Sequence, residues 1–179
     1  EPWDAAGLYQ LGSFPSGRWL EWNDRFRDDV RRFVRGDAGM VPALADRGQG
    51  SPGIFLGHRP QRSVNYVTCH DGFTLNDLVS YNQRDNHANG EDNADGHPAS
   101  YSCNHGVEGA TTDAQVQAVR TRPMKNAVAL LLLRPRMLVR RQGPDAPAPA
   151  QHNGKIQQKI PAKCSAGNER KKQRNIPFS

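Results

Sequence analysis

Long apolar runs are missing from this chain. The longest, Ala127 to Leu133, reaches about a third of the ~20 residues a membrane-spanning helix needs, so no part reads as a membrane segment. Cysteine is scarce as well: Cys69, Cys103 and Cys164 are odd in number, widely spaced and without a C-x-x-C pair. They supply neither a disulfide framework nor a zinc motif, and a reducing cytoplasm is the expected compartment. The opening residues, Glu1-Pro2-Trp3-Asp4, lack the basic flank and apolar core of a secretory signal. No internal repeat recurs at a fixed period. With 36% apolar and 23% charged residues in 179, the composition is that of a globular, soluble protein, one domain or part of a larger one.

The net charge of +6 conceals two unlike parts. Residues 1–133 hold 13 Lys/Arg against 16 Asp/Glu, a balance of −3, whereas residues 134–179 hold 11 against 2, a balance of +9. Any affinity for nucleic acid therefore has to come from the last quarter of the chain. That quarter contains Gly143-Pro144-Asp145-Ala146-Pro147-Ala148-Pro149-Ala150 and then a polar, basic stretch with almost no periodicity. Such a composition cannot bury a core and reads as disordered.

The first part carries ordered patterns. Phe26, Val30, Phe33 and Val34 fall on one face of a helix over Asp24 to Arg35, with Asn23 or Asp24 as its cap and Gly36 as its end. A shorter helix is expected over Val41 to Asp46, with Pro42 in its first turn. Gly48 to Pro60 reads as loop, with a short apolar run Ile54-Phe55-Leu56. Ser63 to Gly72 reads S-V-N-Y-V-T-C-H-D-G, a strand with Val64, Tyr66 and Val67 buried that stops on His70, Asp71 and Gly72. Thr74 should open another helix, with Asp77 at capping-box spacing. Asn82 to Ala110 is a long loop of Asn, Asp, Gly and His, a length more often functional than decorative. A further helix starts at Thr112-Asp113, and Pro123 should kink or break it near Arg122. Strand, helix, long loop and helix in that order fit an α/β fold with a parallel sheet.

An imidazole and a carboxylate at the C-terminal edge of a strand stand where α/β enzymes place their chemistry. Other residue groups are weaker candidates. Glu91, Asn93, Asp95 and Gly96 approximate part of a calcium loop, but Ser102 stands where a bidentate glutamate is required. His87, His97, Cys103 and His105 lack the ligand spacing of structural zinc sites. Cys69 has no helix N-terminus beneath it to activate a thiolate.

The string V-N-Y-V-T-C-H-D-G-F-T-L-N-D-L-V-S-Y-N, followed by N-G-E-D-N and G-V-E-G, closely resembles bacterial glycogen debranching enzymes and isoamylases of the α-amylase superfamily. E-P-W-D and then W-L-E-W-N-D-R-F-R-D-D-V-R-R-F-V-R-G-D resemble the same family in the same order. The resemblance covers roughly Glu1 to Leu133. It implies the C-terminal part of a (β/α)₈ TIM barrel, incomplete here, over residues 1–133, followed by a basic, Pro-rich tail over residues 134–179. It implies Glu1 as general acid, Asp71 as the third carboxylate on the sugar, and His70 as a hydrogen-bond donor to that sugar. The implied reaction is retaining hydrolysis of α-1,6 branch linkages in glycogen or limit dextrin, in the cytoplasm, with no cofactor and no metal.

The departures are equally definite. The family's nucleophile, an aspartate in an R-x-D pattern upstream of E-P-W-D, would precede Glu1 and so has no counterpart here, and the chain by itself is expected to be inactive. The family's S-W-N-C-G stands here as Ser102-Cys103-Asn104-His105-Gly106. No eighth strand follows Leu133, and a frameshift or mis-joined frame would account for the tail. Two alternatives stand beside this reading: a non-catalytic interaction module with a nucleic-acid-binding tail, and a superfamily enzyme acting on other α-glucosidic linkages.

Overall fold

A computed structural model describes residues 1–15, 18–55, 60–96 and 99–133, and among the described residues two short parallel strands and three α-helices form the main regular structure. Strand β1 (Glu21–Asn23) runs directly into helix α1 (Asp24–Arg35), and α2 (Val41–Gly48) follows. Strand β2 (Ser63–Asn65) then pairs parallel to β1, with Glu21 opposite Ser63, Trp22 opposite Val64 and Asn23 opposite Asn65. Parallel strands need a crossover, and α1 with α2 supplies it. The last helix, α3 (Ala114–Leu132), packs on α1. The tail from residue 134 lies outside the described residues, and so do the readings that depend on it. No helix among the described residues is long and apolar enough to cross a membrane.

Local chemistry sets the ends of α1 where the sequence indicates. Asn23 accepts the Phe26 N–H at 2.9 Å through Oδ1, and Gly36 ends the helix at φ 95° with its N–H on the Arg32 and Phe33 carbonyls. Helix α2 begins with Pro42 in its first turn and runs to Gly48 rather than Asp46. Asp113 caps α3 by accepting from Gln115 and Val116.

Three expectations need correction. Helix α3 is continuous through Pro123. A proline removes one helical hydrogen bond, but Pro123, Met124 and Ala127 line a crevice shared with Arg31 and Val34 of α1, and this packing holds the turns on either side together. The helix expected from Thr74 is only a 3₁₀ turn at Asp77–Val79. Its capping box does form: Thr74 Oγ1 donates to Asp77 at 2.7 Å and accepts the Asp77 N–H at 3.2 Å. Continuation fails because the later loop takes the groups the next turn would use. The Leu78 and Ser80 carbonyls accept the N–H groups of Cys103 (2.9 Å) and Gly109 (2.8 Å), and the Asn82 N–H donates to Glu108 at 3.0 Å.

The third correction concerns which side of β2 is inward. Ser63 and Val67 are buried, whereas Val64 and Tyr66 are only half-buried. In β1 the buried residues are Glu21 and Asn23. The inward face of the strand pair is therefore polar, and its cost is met by hydrogen bonds. Asn23 Nδ2 donates to Ser51 Oγ at 3.1 Å and to Ser63 Oγ at 2.9 Å, and Ser63 donates on to Asn65 at 2.6 Å. Glu21 pairs with Arg62 at 2.5 Å and accepts the Gly12 N–H. The apolar core lies beside this network, built from Phe26, Val30, Val67, Leu78 and Ala127.

Asn23 caps a helix and joins two serines at once, so replacing it removes more than a cap. Asn23→Ala should destabilise the chain by about 2–4 kcal/mol, from the lost cap plus buried hydroxyls left short of a partner. Asn23→Ser, which keeps a capping oxygen, should recover part of that loss. Urea unfolding of the three proteins measures it; an Asn23→Ala chain as stable as wild type would refute the shared role.

Candidate active site

The segment after β2 turns sharply at Cys69-His70-Asp71-Gly72 and presents both side chains of the His-Asp pair to solvent. Arg31 of α1 holds the approach to this turn. Its buried guanidinium donates to the Val67 carbonyl at 2.8 Å and to the Ser100 carbonyl at 3.3 Å. Burial pushes the Arg31 pKa down to about 10, so it remains a cation at neutral pH. One cation thereby fixes the strand end and the start of the loop's return.

Glu1 reaches this turn from the other end of the chain. Its carboxylate lies 3.9 Å from His70 Nε2, with both side chains mostly exposed. The first loop is shaped to bring it there. Asp4 accepts the N–H groups of Ala6 and Leu8 at 2.9 and 2.8 Å, Trp3 bridges to Tyr9, and Tyr9 donates to Asp24 at 2.8 Å. Burial and the Asp24 bond push the Tyr9 hydroxyl up to about 12, so it stays a donor. His70 is also flanked by Trp22 in an edge-on contact at 5.9 Å. Behind Trp22 lies Tyr66, 5.3 Å away between ring centres, with the Arg27 guanidinium over its face at 5.6 Å. Trp22 and Tyr66 come from β1 and from just past β2, so the strand pairing itself assembles this aromatic backing.

Asp71 has a different neighbour. The free thiol of Cys69 donates to Asp71 Oδ1. That bond comes first among the causes holding the Asp71 carboxyl below its usual range; burial, the next largest effect, opposes it, and a backbone N–H, His70 and Arg27 add to the lowering. The thiol responds in the opposite sense, pushed up by burial and by the same bond. Asp71 is thus an anion at any physiological pH, able to accept from a hydroxyl or face a developing positive charge.

His70, Asp71 and Phe73 form one side of a cleft of about 510 Å³, and Arg84, Asp85 and Asn86 form another. The Arg84 to Gly96 wall is braced by its own polar groups. Arg84 donates to the Asp95 and Gly96 carbonyls, and Asn93 accepts the Asn86 N–H at 2.8 Å while donating to the Arg84 carbonyl at 3.2 Å. Asn93 is therefore committed to bracing the loop, and among the described residues no three His, Cys, Asp or Glu side chains are grouped to hold a metal. His105 sits against the buried Arg120; burial and that cation lower its pKa and keep it neutral. His97 lies outside the described residues.

All three residues singled out from the sequence, Glu1, His70 and Asp71, thus meet around one turn. Sequence reasoning missed Trp22, Tyr66, Arg27 and Arg31. The signal that could have found Trp22 was its place immediately before a capped helix, where a parallel strand usually ends.

The Cys69 thiol should be what depresses Asp71. In an NMR titration the Asp71 carboxyl should protonate below the ordinary aspartate value, and Cys69→Ala should move the midpoint upward. Because the folded-state pKa is the lower one, the anion's favourable contribution is complete above the ordinary value. It is lost as pH falls through the depressed one, and exposure keeps that contribution small. A midpoint unmoved by Cys69→Ala would rule out the thiol as the cause.

No family model matches the chain. Individual relatives do. It is 50% identical over 136 residues to the chloroplastic isoamylase 3 of Oryza sativa subsp. japonica, covering 74% of this chain and 17% of that protein. Against the glycogen operon protein GlgX homolog of Mycobacterium tuberculosis the identity is again 50% over 136 residues, covering 74% of this chain and 19% of the relative. The corresponding GlgX homolog of Haemophilus influenzae is 49% identical over 131 residues, 72% of this chain and 19% of the relative. The chain thus spans under a fifth of the length of these curated relatives. With about half of its residues identical across three quarters of its length, the chain belongs to the isoamylase family.

Proposed function

We propose that the chain supplies part of the cleavage site of an α-1,6-glucosidase that removes branches from glycogen or limit dextrin in the cytoplasm. Glu1 acts as the general acid, Asp71 as the carboxylate on the sugar undergoing cleavage, and His70 as a donor to that sugar. The observation that carries this reading is the meeting of Glu1 with His70, 3.9 Å apart, beside Asp71 at the end of a parallel strand. The parallel β1–β2 pair with its crossover helices supports the further reading that residues 1–133 belong to a (β/α)₈ barrel.

Retaining hydrolysis needs a proton at the leaving oxygen and a carboxylate that attacks the anomeric carbon, followed by water displacing the enzyme. Glu1 would give the first proton and recover it from the incoming water. Glu1 is 63% exposed in its side chain, so the desolvation that readies an acid near neutral pH has to come from the glucan that covers it. Asp71, an anion at working pH, would accept ring hydroxyls of the same sugar and favour the oxocarbenium-like state. The family's attacking aspartate lies upstream of E-P-W-D, so residues 1–179 alone should bind glucan without cutting it.

In the full-length protein carrying this chain, Glu1→Gln should lower release of reducing ends from glycogen by about 10²–10⁴-fold. Asp71→Asn should lower it by about 10²–10³-fold, and His70→Ala by less, mostly through KM. Full activity in Asp71→Asn would overturn the assignment. The purified 179-residue chain should release no reducing ends from glycogen; turnover at the full-length rate would show that the attacking group lies within it.

A further inference from the structure

Tyr81 has no part in the reaction just described, yet its ring lies in the wall of the same cleft as His70 and Asp71. It is fixed from behind before any ligand arrives. Phe73 packs against it at 6.2 Å between ring centres, tilted by 55°. Gly109 backs it closely: a methyl placed there would lie 3.6 Å from the Tyr81 ring and hydroxyl, and Gly109 has a φ of +78°. Gly109 is itself held, its N–H on the Ser80 carbonyl at 2.8 Å and its carbonyl accepting from buried Arg120 at 2.8 Å. The Tyr81 hydroxyl has no hydrogen-bond partner among the described residues, and neither has the carboxylate of Asp85 in the adjoining wall.

A half-buried, immobilised aromatic ring with unpaired polar groups near its edge matches a pyranose. The sugar's C–H face lies on the ring and its equatorial hydroxyls reach outward to acceptors. The cleft volume of about 510 Å³ is in the range of sites that enclose ligands larger than one hexose. We propose that Tyr81 is a specificity-determining platform that stacks a second glucosyl unit, next to the sugar held by His70 and Asp71, with Asp85 accepting from its hydroxyls. The proposal rests on the reading of the cleft as a glucan site.

Calorimetric titration of the 179-residue chain with glucose and with maltotriose tests it. Maltotriose should bind more tightly than glucose. Tyr81→Leu should weaken maltotriose about tenfold while leaving glucose unchanged, and Tyr81→Phe should stay within about threefold of wild type. In the wild-type chain the Tyr81 ring resonances should shift on adding maltotriose, a readout that needs no variant to fold. If Asp71→Asn weakens both sugars but Tyr81→Leu weakens neither, the platform is wrong and the glucan site stands. If the wild-type chain binds neither sugar, both readings fall. Tyr81 resonances unmoved by saturating maltotriose would likewise overturn the platform.

Discussion

The Asn23 side chain is the point on which the rest of this structure depends. One amide caps α1 and reaches Ser51 in one loop and Ser63 in β2. Without a buried donor there, the Ser51 and Ser63 oxygens would lose the group they accept from on the inward side of the strand pair, a cost that two short strands are poorly able to offset. The register of Asn23 opposite Asn65 places Trp22 and Tyr66 on the other face. The aromatic backing of His70 is therefore a consequence of how a polar network is satisfied on the opposite side.

Two buried arginines do for the loops what Asn23 does for the strands. Arg31 and Arg120 both spend their guanidinium groups on backbone carbonyls. Burying a cation without a carboxylate in contact is costly, and a cluster of aligned carbonyl dipoles is the usual way to offset it. What each gains is a fixed loop. Arg31 pins the turn that carries His70 and Asp71, while Arg120 gathers the carbonyls of Asn104, Val107 and Gly109 behind Tyr81.

Much of this was legible in the sequence where local chemistry decides the outcome. Periodicity, Asn23 and Gly36 located α1, and the Thr112–Asp113 cap signal located the start of α3 to within a residue. The capping pair Thr74 and Asp77 was read correctly as a pair, but whether a helix continues past it depends on hydrogen bonds from Cys103, Gly109 and Glu108. Those partners are distant in sequence, and no local pattern announces them. The inward side of β2 was misread for a related reason: hydrophobicity points to Val64 and Tyr66, whereas the polar partners of Ser63 come from β1 and from a loop. Glu1, His70 and Asp71 were singled out through their motif strings, while Arg31, which holds the approach to the His70–Asp71 turn, looks on sequence like part of an ordinary charged helix face.

The grip of Arg120 on three carbonyls has a consequence for how the molecule opens. The 104–109 loop is fastened to the middle of α3 rather than to its own flanks, so it cannot loosen while that helix turn persists. Helix, loop and the ring of Tyr81 should behave as one cooperative unit in amide exchange, opening together and at one free energy. The first loop, which carries Glu1 and is tied to α1 through Tyr9, falls outside that unit and is free to breathe separately. Glu1 and the Tyr81 wall of the cleft thus belong to different cooperative blocks of the same short chain.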